Sequence, residues 1–284
     1  MTRLSPRMRI GLGVALTMIA AAFLASQFLL PLRDAKGFLV PSLSQADAAR
    51  RQFAAALRGN GRAVPAGLQI TAGEGMRTLH EAAGDCRGRG TYLLRSEPAV
   101  PLALVAPHRG SDRWTGTLTA ALFDEGIGGA AAWNSAPRRG KGGCPGGDPT
   151  RQDTHYLTAF SLAFADVHPS GRIVQLHGFD GDKRRSRAAQ LADIIVSEGT
   201  QAPGDGLYDL ADCLSRELHP WRVRVYPGDV SELGALDNRQ GQALRAAGFE
   251  CFAHIEMSRT VRRALAQDDG ARARFARCLA DGLP

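Results

Sequence analysis

The stretch Phe252-Ala-His-Ile-Glu256-Met-Ser-Arg259 contains a carboxylate where an apolar strand gives way to a helix. The strand is predicted from Cys251 to Ile255, and a helix-like run follows almost at once. A carboxylate at such a boundary can project into a cleft. Burial there raises its pKa and suits Glu256 to act as a general base. The alternative is a structural carboxylate that pairs with Arg259 or Arg262.

Two other predicted strands end in histidine. His108 follows the apolar run Pro101–Ala106, and His177 follows Arg172–Leu176. Asp112 lies within one helical turn of His108. Side chains at several strand ends are expected to meet at the carboxyl edge of one sheet.

The predicted chemistry of this constellation is that of a catalytic metal. Two histidine nitrogens, one carboxylate oxygen and an open fourth position are typical of catalytic zinc. We therefore expect His108, Asp112 and His177 to hold Zn²⁺, which acidifies water and polarises a carbonyl. Glu256, outside the ligand set, would then take the proton of the water. Each residue also has an ordinary interpretation: His108 as a hydrogen-bonded loop histidine, Asp112 as a helix N-cap or a partner of Arg113, and His177 as a donor to a carbonyl.

Two short motifs resemble known enzymes. Ile255-Glu-Met-Ser-Arg259 resembles the Ile-Glu-Met/Ile-Asn-Arg signature of N-formylglutamate amidohydrolases, and Ala106-Pro-His-Arg-Gly110 resembles their Ser-Pro-His-Ser-Gly stretch. More broadly, residues 98–268 are similar to the superfamily of zinc carboxypeptidases and phage poly-γ-glutamate hydrolases. The resemblance implies a zinc ion held by a histidine, a carboxylate and a second histidine, with a late glutamate as base.

The chain departs from that pattern at the second ligand. Carboxypeptidases place a glutamate three residues after the first histidine, whereas position 111 is Ser and the acid arrives at Asp112. This leaves Asp124, Asp153 and His155 open as alternative ligands.

A further resemblance concerns substrate binding. Asn134-Ser-Ala-Pro-Arg138 loosely resembles the Asn and Arg elements that hold a substrate carboxylate in such enzymes. A guanidinium fork matches a carboxylate with two parallel hydrogen bonds. The alternative is a solvated loop arginine paired with an acid, and Arg259 is the second choice for the clamp. Asn238 and Gln240 could also line the cleft, although their loop composition is typical of turns.

Strands that alternate with helices predict an α/β sandwich. The resemblance to zinc carboxypeptidases implies three layers with a mixed central sheet. Further strands are predicted over Leu68–Thr71, Thr91–Arg95, Ala130–Trp133, Ala192–Ser197 and Trp221–Tyr226. Helices are predicted over Gln45–Arg58, Met76–Ala83, Thr117–Glu125, Thr154–Ala165, Leu207–Leu218, Ser258–Ala266 and Gly270–Ala280. Residues 139–150 are predicted to be a mobile loop, and 227–241 a loop of turn residues.

The first residues predict a membrane segment. Ile10–Leu30 is a nearly unbroken apolar run preceded by Arg3, Arg7 and Arg9, which favours a cytoplasmic N-terminus and an exported main domain. A cleaved signal peptide is the competing interpretation. The predicted division is residues 1–36 as anchor or signal, 37–65 as linker and helix, and 66–284 as the catalytic domain. The main domain is accordingly expected in the periplasm, either anchored to the inner membrane or secreted.

Composition and missing motifs argue against several classes of function. The net charge is +7, but residues 1–36 hold five basic residues and one acidic residue, so the remainder carries only +3. With aromatic residues at 6%, this argues against a nucleic-acid partner. No Gly-x-Ser-x-Gly elbow and no P-loop occurs, which disfavours serine hydrolases and phosphoryl transfer.

Five cysteines suit an exported protein. Cys86 and Cys144, both in Gly-rich loops, are the best candidates for a disulfide. Two of Cys213, Cys251 and Cys278 could also pair, or all three could be buried.

The sequence therefore predicts an exported zinc-dependent hydrolase that cleaves an amide bond near a carboxylate in a small molecule or peptide. The alternative from a different class is a non-catalytic peptide- or glycan-binding domain on the same fold.

Overall fold

A nine-stranded mixed sheet organises the part of the chain that the computed structural model describes, residues 37–96 and 100–281. The strand order is β1-β2-β3-β5-β4-β6-β9-β7-β8. The strands are β1 Gln69–Gly73, β2 Met76–His80, β3 Thr91–Arg95, β4 Leu102–Ala106, β5 Ala130–Trp133, β6 Arg172–Gly178, β7 Ile194–Ser197, β8 Val223–Val225 and β9 Phe252–Met257. At the centre, β5, β4, β6 and β9 run parallel, whereas β7 joins β9 in the antiparallel sense.

Helices cover both faces of this sheet. They are α1 Leu43–Leu57, α2 Thr115–Asp124, α3 Tyr156–Val167, α4 Arg187–Leu191, α5 Asp205–Glu217, α6 Arg239–Ala246, α7 Arg259–Gln267 and α8 Asp269–Asp281. Alternation along β4 divides the core, because Leu102 and Leu104 pack with α2, α5, α7 and α8 while Ala103 and Val105 pack with α1, α3 and α6. The described region is therefore an α/β sandwich of three layers, in agreement with the predicted fold class.

The central strands are apolar on both faces. All residues of β4 and β5 are buried, as continuous apolar runs in a parallel sheet require. Turns at the carboxyl ends of these strands can then present polar side chains without disturbing the core.

The helix predicted over Met76–Ala83 is wrong. Met76–His80 form β2, which pairs with β1 in a hairpin whose turn contains Gly75 at φ 66°. Burial alternates along β2, with Leu79 fully buried. A five-residue segment carries too little periodicity to exclude a helix, and the Gly-Glu-Gly turn was the better signal.

Two further helices were missed. The segment after β6 contains α4, and the loop predicted over 227–241 ends in α6. Asn238 caps α6, because its side-chain oxygen accepts a hydrogen bond from the Gly241 N–H at 3.1 Å. The turn-like residues before Arg239 therefore mark the start of a helix.

Two disulfides connect distant segments. Cys86 bonds to Cys144, the predicted pair, and Cys213 bonds to Cys278 across α5 and α8. The first ties the loop over 139–150 to the loop between β2 and β3. The loop over 139–150 contains Asp148.

The amino-terminal segment was predicted to span a membrane. Ile10–Leu30 lies outside the described residues. Among residues 37–96 and 100–281, no helix has the length and apolar character needed to cross a bilayer.

The compact unit begins at Phe38, and α1 packs against α3, with Arg50 and Asp166 joined at 2.7 Å.

Candidate metal and hydrolytic site

Strand register brings polar residues together on one face of the central sheet. In the parallel pair β6–β9, Gln175 lies opposite His254 and His177 lies opposite Glu256. In the antiparallel pair β7–β9, Ser197 lies opposite His254. Paired residues and their neighbours two positions along share a face. All five side chains are buried.

His108 and Asp112 reach this group from the turn after β4. The Asp112 N–H donates to the His108 carbonyl at 2.8 Å, which closes one turn of chain before α2. His108 Nδ1 and His177 Nδ1 each lie 3.6 Å from Asp112 Oδ2. The Gly178 N–H donates to the same Asp112 oxygen at 3.0 Å and so fixes the carboxylate. The three predicted ligands therefore converge.

The second ring nitrogen of each histidine has its own acceptor. His108 Nε2 lies 2.8 Å from Asp148 Oδ1, and His177 Nε2 lies 3.2 Å from Gln175 Oε1. Donation by Nε2–H leaves the Nδ1 lone pair of both rings facing Asp112. Metal-binding histidines are oriented in this way by carboxylates and carbonyls.

This arrangement fits a zinc ion. Two atoms bound tetrahedrally to zinc at normal bond lengths lie about 3.4 Å apart, close to the 3.6 Å separations found here. The donors are two imidazole nitrogens and one carboxylate oxygen, the set that leaves a catalytic position open.

A buried amide network supports His177. Gln175 Oε1 also accepts from Asn238 Nδ2 at 2.7 Å, and Gln175 Nε2 donates to Gln240 Oε1 at 3.0 Å. Gln240 Nε2 in turn donates to the Pro149 carbonyl at 2.8 Å. The network connects Gln175, which accepts from His177, to Pro149, the residue after Asp148. The acceptors of His177 and His108 are therefore held by one connected set of hydrogen bonds.

Charges in the ligand cluster stabilise one another. Burial lowers the pKa of His108, but its contacts with Asp112 and Asp148 outweigh burial and raise it to about 9. Burial opposes ionisation of Asp112, yet hydrogen bonds with His108 and His177 hold its pKa below the usual range. Burial lowers the pKa of His177. Because zinc binds neutral imidazole, a zinc ion held here would require His108 to release its proton.

Glu256 has the opposite environment. Burial, followed by the charge of Asp112, raises the pKa of Glu256 to about 8. Its Oε2 is buried and makes no hydrogen bond to the described residues. No arginine of the described chain lies within ion-pair distance, so the structural pairing with Arg259 or Arg262 is not seen. Glu256 lies inside β9, paired with His177, and not beyond the strand end.

A cavity of about 790 Å³ opens above this cluster. His108, Asp112, His177, His254 and Glu256 contribute to its floor. The cations on its walls are Arg138, Arg139, Arg151, Lys183 and Arg184. Arg138 pairs with Asp148 at 2.8 Å and is half exposed, so its guanidinium stands beside the ligand cluster and within reach of solvent.

The other two predicted substrate contacts lie elsewhere. Asn134 is buried and donates to the Ala136 carbonyl at 2.9 Å, because it closes its own turn after β5. Arg259 is exposed, with its guanidinium carbon 5.9 Å from the centre of the Trp114 ring. Neither Asn134 nor Arg259 is among the described residues that line the cavity.

The alternative second ligands also lie apart from the cluster. His155 caps α3, its Nδ1 accepting from the Leu157 N–H at 3.0 Å. Asp153 is 73% exposed and faces Arg239, and Asp124 is exposed at the end of α2. Asp112 alone among these candidates contacts both histidines.

Sequence reasoning missed three residues of the site: Asp148, Gln175 and His254. Two of them had a readable signal, because polar residues at alternate positions interrupt otherwise apolar strands in Gln175-Leu-His177 and His254-Ile-Glu256. Asp148 had none, since it lies in a Gly-rich loop whose path depends on a disulfide.

Comparisons with known proteins find similarity in structure only. No protein-family model and no curated protein matches the chain. It is similar to a protein described as YndL in a zinc-free apo form, at 14% identity and TM-score 0.45, covering 66% of this chain and 86% of that one. It is also similar to a bacteriophage poly-γ-glutamate hydrolase, at 13% identity and TM-score 0.41, covering 66% and 84% of the two chains.

A third similar structure is an aspartoacylase family protein from Mesorhizobium loti. The identity is 11% and the TM-score 0.41, covering 76% of this chain and 71% of that one. Phage poly-γ-glutamate hydrolases are among the proteins that residues 98–268 broadly resemble in sequence. At these identities the similarity concerns the fold and not the roles of individual residues.

Proposed function

We propose that this chain is a zinc-dependent hydrolase of amide bonds, with His108, Asp112 and His177 as metal ligands and Glu256 as general base. The observation that carries the proposal is the orientation of the two imidazoles. Both Nδ1 atoms face one carboxylate oxygen at 3.6 Å, and both Nε2 atoms have separate acceptors. Imidazoles held by such acceptors are typical of metal ligands.

When bound, zinc lowers the pKa of coordinated water and polarises a carbonyl oxygen. The chain itself supplies the proton acceptor. Glu256 Oε2 is buried, has no hydrogen bond to the described residues and belongs to a carboxyl whose pKa is about 8 in the metal-free protein. A base with a pKa near the working pH combines availability with proton affinity. Glu256 would accept the proton of the attacking water and return it to the leaving amine.

The substrate is proposed to contain a carboxylate near the scissile amide. Arg138 lies at the cavity wall, and its partner Asp148 also contacts His108. A guanidinium in this position can exchange part of its pairing with Asp148 for a bidentate contact to substrate. Acyl-amino acids, γ-glutamyl amides and peptides with a free carboxylate have this chemistry.

Export and membrane attachment are also proposed. The support is the basic flank and apolar run of the first 36 residues, together with two disulfides. Disulfides persist in oxidising compartments. Protease added from the periplasmic side should digest the main domain of the full-length protein; a protected domain would contradict the proposal.

The function is tested with zinc-loaded, full-length protein and a panel of N-acyl-amino acids and γ-glutamyl peptides. We expect turnover that disappears with a chelator and returns with zinc, and that falls when the substrate carboxylate is converted to an amide. A protein that binds about one zinc ion per chain but turns over none of the panel, while still binding peptides, would indicate the non-catalytic alternative.

Arg138→Lys tests the substrate clamp. The variant keeps the charge and loses the bidentate geometry, so KM for the acidic substrate should rise about 10-fold with kcat little changed. The carboxamide substrate is the control, since its KM should not respond. Equal kinetics for both enzymes on the acidic substrate would remove Arg138 from the site.

A further inference from the structure

A buried serine and histidine lie directly behind the proposed base. Ser197 Oγ is 3.2 Å from His254 Nδ1, and His254 Nε2 is 3.8 Å from Glu256 Oε1. Ser197 is fully buried and His254 is 4% exposed. Neither has a part in the chemistry described so far. The three side chains form a line across β7 and β9 that ends at the floor of the cavity.

The imidazole of His254 is buried, with Nδ1 facing Ser197 and Nε2 facing Glu256. Burial disfavours the charged form of an imidazole. A neutral imidazole has one N–H, on either Nδ1 or Nε2. The tautomer of His254 therefore decides which group faces Glu256.

The hydroxyl of Ser197 can select that tautomer. A buried hydroxyl needs an acceptor for its hydrogen. The polar atom within hydrogen-bond distance of Ser197 Oγ, among the described residues, is His254 Nδ1. When the hydroxyl donates to Nδ1, the ring proton is on Nε2. The Nε2–H then points towards the Glu256 carboxylate.

This arrangement makes the two oxygens of Glu256 unequal. Oε1 faces the ring N–H, whereas Oε2 is buried without a hydrogen bond to any described residue. The 3.8 Å between His254 Nε2 and Glu256 Oε1 is longer than a hydrogen bond. Catalytic contacts commonly shorten when substrate binds. A small rotation of the Glu256 carboxyl would bring Oε1 within hydrogen-bond distance of Nε2.

We propose that Ser197 and His254 are positioning residues for the base: the Ser197 hydroxyl fixes the Nε2–H tautomer of His254, whose N–H holds Glu256 Oε1 and leaves Oε2 free to accept the proton. The proposal rests on the proposed hydrolase function for its kinetic consequence. The tautomer itself is independent of that function.

A competing arrangement uses the same atoms. His177, His254 and Glu256 also form a group whose potential ligand atoms all lie within 4.8 Å of one another. If His254 bound a second metal ion through Nε2, that nitrogen would lack a proton and the hydrogen would be on Nδ1. The two arrangements therefore predict opposite tautomers and different metal stoichiometry.

Nitrogen-15 NMR of the histidine rings in the zinc-free, full-length protein measures the tautomer. We expect the His254 resonances, assigned from their loss in His254→Gln, to indicate a proton on Nε2 and none on Nδ1. Ser197→Ala should mix the two tautomers, while Ser161→Ala, a buried serine in α3 that donates to the Leu157 carbonyl, should leave them unchanged. A proton on Nδ1 in the wild-type protein would overturn the proposal, as would a second zinc ion lost on replacing His254.

Kinetics test the consequence. His254→Leu should lower kcat on the order of 10- to 100-fold with KM and zinc content unchanged, since misplacement of a catalytic group has costs of this size. His254→Gln, whose side-chain amide can donate from nearly the Nε2 position, should recover part of the loss. A zinc-loaded His254→Leu enzyme with normal kcat would refute the positioning role. A wild-type protein without hydrolase activity would instead refute the proposed function and leave the tautomer measurement intact.

Discussion

Asp112 and Glu256 are two carboxylates at the floor of one cavity, and their environments are opposite. Asp112 faces two imidazoles and a backbone N–H, which hold its pKa below the usual range despite burial. Glu256 lies inside a central strand with one oxygen unpartnered among the described residues, and burial raises its pKa to about 8. The first is ionised at every ordinary pH, whereas the second can gain and lose a proton near neutrality.

The difference supports the proposed roles of the two carboxylates. A permanently charged carboxylate between two imidazoles suits a metal ligand, and a carboxylate of raised pKa suits a proton carrier. Pairs of titratable groups whose pKa values are pushed apart commonly mark acid–base sites. Separate predictions follow for the proposed zinc ligands, His108, Asp112 and His177, and for the proposed base, Glu256.

The largest effect is expected in the ligand half. His108→Ala and His177→Ala should each abolish zinc binding, because two of three ligands cannot hold the ion in a catalytic site. Zinc content and calorimetric titration of the purified proteins measure this. His80→Ala, in the β1–β2 hairpin, is the control and should bind zinc normally. Full zinc occupancy in both ligand variants would show that the metal assignment is wrong.

A smaller effect is expected where a carboxylate orients a ligand. Asp148→Asn keeps the shape but weakens the acceptor for His108 Nε2, so zinc affinity should fall about 10- to 100-fold. Asp237→Asn is the matched control, since Asp237 also lines the cavity but is 75% exposed and pairs with Arg151. Equal zinc affinity in the two variants would remove Asp148 from the support of the site.

The smallest effect concerns the stability of the zinc-free protein. The pKa of Glu256 is about 8 when folded, against an ordinary value of 4.5, so the folded state binds more protons between these values. Its contribution to stability is complete below the ordinary pKa and is lost as pH rises through the folded pKa. Zinc-free Glu256→Gln should therefore lose less thermal stability than wild type between pH 4 and pH 9, the range that brackets the ordinary pKa of 4.5 and the folded pKa of about 8.

The expected difference in melting temperature is several degrees, at about 2–4 °C per kcal/mol for a domain of this size. Glu250→Gln replaces an exposed carboxylate and serves as the control. If Glu256→Gln were less stable than wild type at both pH values, Glu256 would have a structural role instead.

The fold was predictable where hydrophobic patterning is strong. β4 was predicted from a continuous apolar run, and β6 and β9 were predicted from runs that are largely apolar. The polar residues His108, His177 and Glu256 near the ends of these runs identified the edge of the sheet. Short elements were not, because five residues of β2 and the turn-like start of α6 fit more than one structure. Strand order was also beyond the sequence, since pairing between distant segments is decided by packing of the whole core.

The site divides in the same way. Residues at strand ends could be found because parallel strands bring their carboxyl ends together. Asp148 could not, because a disulfide and an amide network bring it to His108 from a loop without regular structure. Of the three residues predicted to hold a substrate carboxylate, Arg138 lies at the cavity wall, and Asn238, predicted as a further lining residue, also lies there. Asn134 does not, because its side-chain amide donates to the Ala136 carbonyl within its own turn.

The central claim is that zinc binding and proton transfer belong to different carboxylates, and Glu256→Gln tests it most directly. Zinc content and kcat are measured on the same preparation. The variant should keep about one zinc ion per chain and unchanged KM, while kcat falls about 10²- to 10⁴-fold, the usual contribution of a general base. Near-normal kcat in the zinc-loaded variant, or loss of the zinc ion itself, would contradict the claim.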